Sequence, residues 1–254
     1  MQKSDVLSRH LINLTLIFLI CHTPVQADEI CCVPDQFEGV GFIGYGNAII
    51  DWMRNRDSSP HTAFSYINGS VWISYDYTTK RLLLNIKGTE MSPLLPRPLP
   101  ANTIYLSDYE KGIMYNVGLD GSCEKSKLDQ NMTKQCILSG GSQVVYGFLA
   151  GGNVGVSNYM FQSGGSLPTK ITASVIRDGN DCWPVRANFI PDTGLQSKDG
   201  QSGVIYNFDV LDTSRGIRDP SVFNPPPQCK GLPFTKTSRL TTDYFRIILD
   251  QLGI

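Results

Sequence analysis

Residues 215–229 read RGIRDPSVFNPPPQC, and no other stretch of the chain restricts the backbone so tightly. Pro220 fixes its own φ and pushes Asp219 into an extended conformation, while Pro225, Pro226 and Pro227 hold the next segment near polyproline II. Proline donates nothing to a β-ladder, so this segment cannot lie inside a sheet. It must cross the outside of a folded body, with Val222 and Phe223 pressed inward and Cys229 as the fastening. The preceding chain has to supply that body.

Strand signals dominate the preceding chain. Val71, Ile73, Tyr75 and Tyr77 alternate with Trp72, Ser74 and Asp76, and Leu82, Leu84 and Ile86 alternate with Arg81, Leu83 and Asn85. Ile113, Tyr115 and Val117 follow the same rule, as do Ile171, Ala173 and Val175, and then Val185, Ala187 and Phe189. Val204, Tyr206, Phe208 and Val210 close the set. A period of two between clusters of Gly, Pro and Asn predicts antiparallel strands with one buried face. Turns are predicted at Gly140-Gly141, Gly151-Gly152 and Gly164-Gly165, and the prolines at 93, 96, 98 and 100 predict an extended surface loop. There is no internal repeat and no βαβ rhythm. The fold class is all-β, a sandwich or an open barrel.

Met1 to Ala27 has the plan of a secretory signal: Lys3 and Arg9, an apolar core from Leu11 to Cys21, and the small-residue site Val25-Gln26-Ala27. That apolar run falls short of the roughly 20 residues a membrane span needs. The organisation is therefore 1–27 signal peptide, 28–229 β domain and 230–254 C-terminal extension. In the extension, Thr241-Thr242-Asp243 is placed to cap a short helix. Removing the signal leaves one histidine, His61, and six cysteines: Cys31, Cys32, Cys123, Cys136, Cys182 and Cys229. An even number in an extracellular chain reads as disulfides, with fifteen pairings open.

Several chemistries are excluded or weakened. A net charge of −1 lacks the basic patch of a nucleic-acid binder. Gly39-Val40-Gly41-Phe42-Ile43-Gly44 matches a dinucleotide fingerprint, but a Cys-Pro-rich segment precedes it where a strand is needed, so it reads as strand or bulge. One histidine and no GxSxG elbow argue against nucleophilic hydrolysis, and the protein is read as a non-enzyme. No EF-hand loop is present, yet Asp178-Gly179-Asn180-Asp181 puts oxygen ligands on a turn, so Asp178 and Asp181 are the candidate calcium ligands. Calcium is the one cofactor considered. Asn68-Gly69-Ser70 and Asn131-Met132-Thr133 are N-glycosylation sequons expected beside turns or loops.

A β fold of this kind offers its interior for binding. The inward alternates form the candidate lining. They are Val71, Ile73 and Tyr75, then Leu82 and Leu84, then Ile113 and Tyr115. Ile171, Val175, Val204, Tyr206 and Phe208 complete the set.

Four motifs carry a family resemblance. Gly216-Ile217-Arg218-Asp219-Pro220-Ser221-Val222-Phe223 with Pro225, Pro226 and Cys229 resembles the C-terminal signature of the ependymin and ependymin-related family. Cys32-Val33-Pro34-Asp35-Gln36-Phe37-Glu38-Gly39, Ser74-Tyr75-Asp76 with Lys80-Arg81, and Asp181-Cys182-Trp183-Pro184-Val185 match in the family's order. The resemblance implies a fold similar to bacterial lipoprotein carriers, in which two antiparallel sheets curve around a deep apolar pocket. It also implies a secreted homodimer associated with lipid-like ligands, calcium and cell–matrix adhesion. Aligning with family cysteines, it implies bonds 32–182 and 123–229, which leaves Cys31 and Cys136 to each other.

Overall fold

The computed structural model describes residues 29–51, 61–92, 95–128, 131–138, 142–149, 153–163, 169–191 and 201–235. The signal segment, the three Gly-Gly turns and the helix expected after Thr241 lie outside them. Thirteen strands appear in chain order: β1 (Glu29–Cys32), β2 (Gln36–Asp51), β3 (His61–Asp76), β4 (Arg81–Met91), β5 (Leu99–Asp108), β6 (Ile113–Val117), β7 (Cys123–Lys127), β8 (Cys136–Leu138), β9 (Ser142–Phe148), β10 (Gly155–Ser163), β11 (Thr169–Asp178), β12 (Asp181–Pro191) and β13 (Gln201–Arg215). They form one sheet in the order β7-β6-β5-β4-β3-β2-β13-β12-β11-β10-β9, with β1 paired to β8 and, in parallel, to β12. The all-β, half-open fold is thus the one adopted, and its two layers are halves of one unclosed ladder. The long strands β2 and β3, 16 residues each, and β13, 15 residues, carry that ladder unbroken from one half to the other.

Register fixes the faces. Val71 lies opposite Ile86, Ile73 opposite Leu84 and Tyr75 opposite Leu82, so these six share one face. Ile43 opposite Phe208 and Tyr45 opposite Tyr206 continue it across β2 and β13, and Ala187 and Phe189 continue it onto β12. One buried cluster takes residues from both halves, Met114 at one end and Ile171 at the other, so the sheet curves over itself around a concave apolar face.

The glycines of Gly39 to Gly44 sit inside β2, facing a bulge in β13 between Val210 and Asp212. A Cβ on Gly41 would collide with the Asp209 carbonyl, so the bulge requires glycine there. Pro100 lies in β5 opposite Thr89, near the strand's start.

The stretch after Arg215 crosses the convex face, with short 3-10 turns at Pro220–Phe223 and Pro227–Cys229 set against β4 and β7. Asp219 caps the first turn by accepting a 2.9 Å hydrogen bond from the Ser221 N–H. Phe223 is buried, and so are Leu106 and Val117 on the outward side of β5 and β6, the footprint of this strap. Cys229 is bonded to Cys123 on β7, with Cα atoms 5.4 Å apart, and the Thr235 N–H and hydroxyl both donate to the Lys125 carbonyl.

The other two disulfides differ from the implied pairing. Cys31 joins Cys182 and Cys32 joins Cys136, with Cα separations of 5.5 and 3.9 Å. Adjacent residues on a strand point to opposite faces. Cys31 is turned into the buried cluster with Cys182, whereas Cys32 lies directly across the ladder from Cys136. The 32–182 and 31–136 assignments are therefore exchanged.

Candidate functional site: the concave apolar face

The concave face collects most of the expected lining. Val71, Tyr75, Leu82, Leu84, Ile171, Tyr206 and Phe208 are buried in its main cluster, and Ile73 packs against it half-buried. Val175 belongs to a neighbouring cluster with Cys31, Ile137, Tyr159 and Cys182, where β1 and β8 cover part of the second half. The Val204 side chain lies outside the described residues.

Ile113 and Tyr115 are corrections. On β6 it is Met114 and Asn116 that pair with the inward Ser107 and Tyr105, so Ile113 and Tyr115 face outward. The strap runs on that side. It gives β6 apolar residues on both faces, and alternation alone then picks the wrong one.

The face also holds residues left out of the expected lining, of which Ile86, Ala187 and Phe189 stood in the alternating sets and the rest did not. Phe37, Ile43, Ile86, Tyr105, Met114 and Phe189 are buried in the cluster, and Tyr45, Phe161 and Ala187 lie half-buried against it. Tyr105 was not legible, because the apolar alternates of its stretch are Ile104 and Leu106, which the strap side of β5 takes. Tyr45 and Tyr206 stack with ring centroids 4.8 Å apart, and Phe189 meets Phe208 edge-on at 6.0 Å. The half-buried members mark where, among the described residues, the face is not fully covered.

Polar groups are set into this wall. Burial raises the Tyr75 phenol far above its ordinary range. Tyr105 is pushed up to about 12, by burial first and then by the negative charge of Glu124. The Ser107 hydroxyl oxygen and Asn116 Oδ1 are buried without a hydrogen-bond partner among the described residues. Leu84, Tyr105, Asn116 and Glu124 pair in succession across β4 to β7 and so point to the same side.

The calcium candidates lie elsewhere, on the turn between β11 and β12. Asp178 and Asp181 pair across it, but the Asp181 carboxylate is engaged by the Arg215 guanidinium. Calcium takes six to eight oxygens, and this turn offers one uncommitted carboxylate beside a fixed cation, so the set does not fit the ion. Among the described residues no group of three or more metal-ligating side chains assembles. Asn131 is exposed in a loop; Asn68 is exposed too, but within β3 rather than beside a turn.

The strap carries a second polar arrangement. Glu38 on β2 is 3% exposed, and Arg218 donates to it at 2.6 Å while its guanidinium lies 5.6 Å from the centroid of the Trp72 ring. The hydrogen bond and the charge of Glu38 raise the Arg218 pKa. Arg218 thus pins the signature segment to the body.

Fold and site together define a class: an open β half-barrel, fastened by three disulfides, with an apolar concave face and a proline-rich strap on its back. The sequence model named Ependymin matches residues 100–229, and the chain belongs to that family. The match takes in the strap and the Asp181 to Val185 motif; the two earlier motifs lie before it. No curated protein matches the chain. Among solved structures, the chain is similar to an uncharacterized conserved protein from Thermus thermophilus, with 11% identity and a TM-score of 0.38 over 73% of this chain and 86% of that one. Among the described residues no helix is long and apolar enough to cross a membrane.

Proposed function

We propose that this is a secreted glycoprotein that binds a hydrophobic, lipid-like ligand on its concave face and works as a carrier or lipid sensor. The observation that carries the reading is the make-up of that face. A continuous apolar wall drawn from β2 to β6 and β10 to β13 leaves Tyr45, Ile73, Phe161 and Ala187 only half-buried. Apolar surface left partly open inside a fold is where an acyl chain gains most by transfer from water, roughly 0.8 kcal/mol per methylene. Phenols in such a wall suit a ligand with a polar end. Asn68 and Asn131, both exposed, are the glycan sites, and the disulfides fit an oxidising compartment.

The test is binding of a fluorescent fatty-acid or phospholipid analogue. Binding should saturate and be competed by unlabelled lipid. Ala173 packs under the β1–β8 cover, whereas Ala187 lies half-buried on the main cluster opposite Phe208, so Ala187→Trp should fill the face and weaken binding while the fold persists. If no lipid class competes in a folded protein, the reading fails.

A second reading, calcium-dependent cell–matrix adhesion by a homodimer, draws on the outward face. Phe42, Met160, Ile190 and Ile205 stand exposed there as contact surface. Calcium-dependent matrix binding that survives Ala187→Trp is its mark.

A further inference from the structure

Charge is sorted between the two faces of strands β4 to β7. The basic residues Arg81, Lys87, Lys125 and Lys127 occupy the outward register. Arg81 meets Asp108 there, and the Lys125 ammonium lies over the Phe234 ring. The acids Glu90 and Glu124 take the inward register: Glu90 lies two pairs beyond Gly88 and four beyond Ile86 on the inward side of β4, and Glu124 ends the Leu84–Tyr105–Asn116 row. Among the described residues no Lys, Arg or His lies within ion-pair distance of the Glu124 carboxylate. A half-buried carboxylate facing inward without a cation is costly to keep unless something else supplies the positive charge.

The row beside it has matching needs. Asn116 Oδ1, directly across the ladder from Glu124, is a buried acceptor with no donor among the described residues. The Ser107 oxygen, on the same face, is in the same position. The Tyr105 ring borders the acid. Two acceptors, a negative charge and an aromatic ring are the complement of a cationic N–H or N–CH₃ group, for which ring faces also have affinity.

The geometry points to an ammonium subsite at Tyr105, Asn116 and Glu124, so that the preferred ligand of the concave face is an amphiphile with a positively charged nitrogen at the head of an apolar chain. This rests on the apolar-ligand reading above and makes it specific. The chain lies against the Ile86, Val71 and Phe208 wall, and the nitrogen sits at the β7 end of the row.

The test is titration calorimetry of the full-length folded protein with four twelve-carbon probes below their micelle concentrations: dodecylammonium, dodecyltrimethylammonium, laurate and dodecanol. Both ammonium probes should bind about tenfold more tightly than laurate, the scale of one charge-assisted contact. Glu124→Gln should remove that preference while leaving dodecanol affinity unchanged, which also certifies the fold. Glu124→Lys should favour laurate. If dodecanol and laurate bind but the ammonium probes show no advantage, or if the advantage survives Glu124→Gln and is lost in Glu90→Gln, the subsite is wrong and the apolar face stands. If none of the four binds, both readings fall.

Discussion

Removing the strap's disulfide, by Cys123→Ser with Cys229→Ser, tests the framework quantitatively. The two cysteines are 106 residues apart in sequence, and a free loop of that size would be worth about 4.8 kcal/mol through the entropy of the unfolded chain. The other two bonds shorten the loop. With Cys32 tied to Cys136 and Cys31 to Cys182, the path from Cys123 to Cys229 passes through both bridges and contains only about 61 residues, which lowers the figure to about 4.3 kcal/mol. For a domain of this size the melting temperature should fall by about 10 °C. Because Phe223 and Arg218 still hold the strap, the native state should keep its near-UV spectrum and its resistance to proteolysis after residue 215. Urea unfolding monitored by fluorescence and by circular dichroism measures the loss. A change below about 1 kcal/mol would refute the argument that this bond acts through the unfolded chain.

Three further outcomes follow from side-chain geometry. Arg218→Ala should lower the melting temperature more than Arg218→Ala combined with Glu38→Gln, because the single change strands a buried carboxylate; calorimetry of both variants decides it. Burial raises the Asp76 pKa, but hydrogen bonds from Thr78 and Thr79, at 2.6 to 3.0 Å, outweigh it and hold the group below the ordinary aspartate value. Its contribution is therefore present above the unfolded value near 3.9 and lost as pH falls through the lower folded value, so Asp76→Asn should flatten the acid limb of a stability–pH curve below about pH 4. Since Arg215 already occupies Asp181, Asp178→Asn with Asp181→Asn should leave any calcium-induced rise in melting temperature unchanged, and a rise abolished by that pair would reinstate the turn as the site.

What could be read from the sequence depended on how many faces of a segment are buried. The strap was legible because prolines restrict backbone whatever surrounds them; Phe223 and Cys229 are its buried residues, while Val222 is only half-buried. Strands β11, β12 and β13 were legible because one face meets the core and the other is largely open, and β3 and β4 because their outward positions stay mostly polar, as at Ser74, Asp76, Arg81 and Asn85, even where the strap crosses them. On β6 both faces are covered, one by the core and one by the strap, so Ile113, Tyr115 and Val117 record the strap's footprint rather than the ligand face. Strands β7 to β10 show no clean alternation in sequence. The Cys31 and Cys32 assignment turned on a single residue of register, which resemblance to other chains does not carry when two adjacent cysteines compete. The inward position of Glu124 was hidden for the same reason: on Cys-Glu-Lys-Ser-Lys, only pairing with β6 tells which side the acid takes.

The disulfides also explain why the open face lies where it does. A curved sheet of this length has two faces in each half, and each must be covered by something or meet water. On the convex side of β4 to β7 the cover is the strap, and Cys123–Cys229 fastens it. On the concave side of β10 to β12 the cover is the β1–β8 pair, which Cys31–Cys182 and Cys32–Cys136 fasten. Every disulfide among the described residues therefore holds a covering segment rather than joining the two halves across the groove. Among the described residues the concave wall of β2 to β6 and β13 has no such fastened cover, and it is there that Tyr45 and Ile73 remain half-buried. Among the described residues the crosslinks thus sit on the flanks, and the aromatic concave surface, the one the proposed lipid-binding reading requires, carries none.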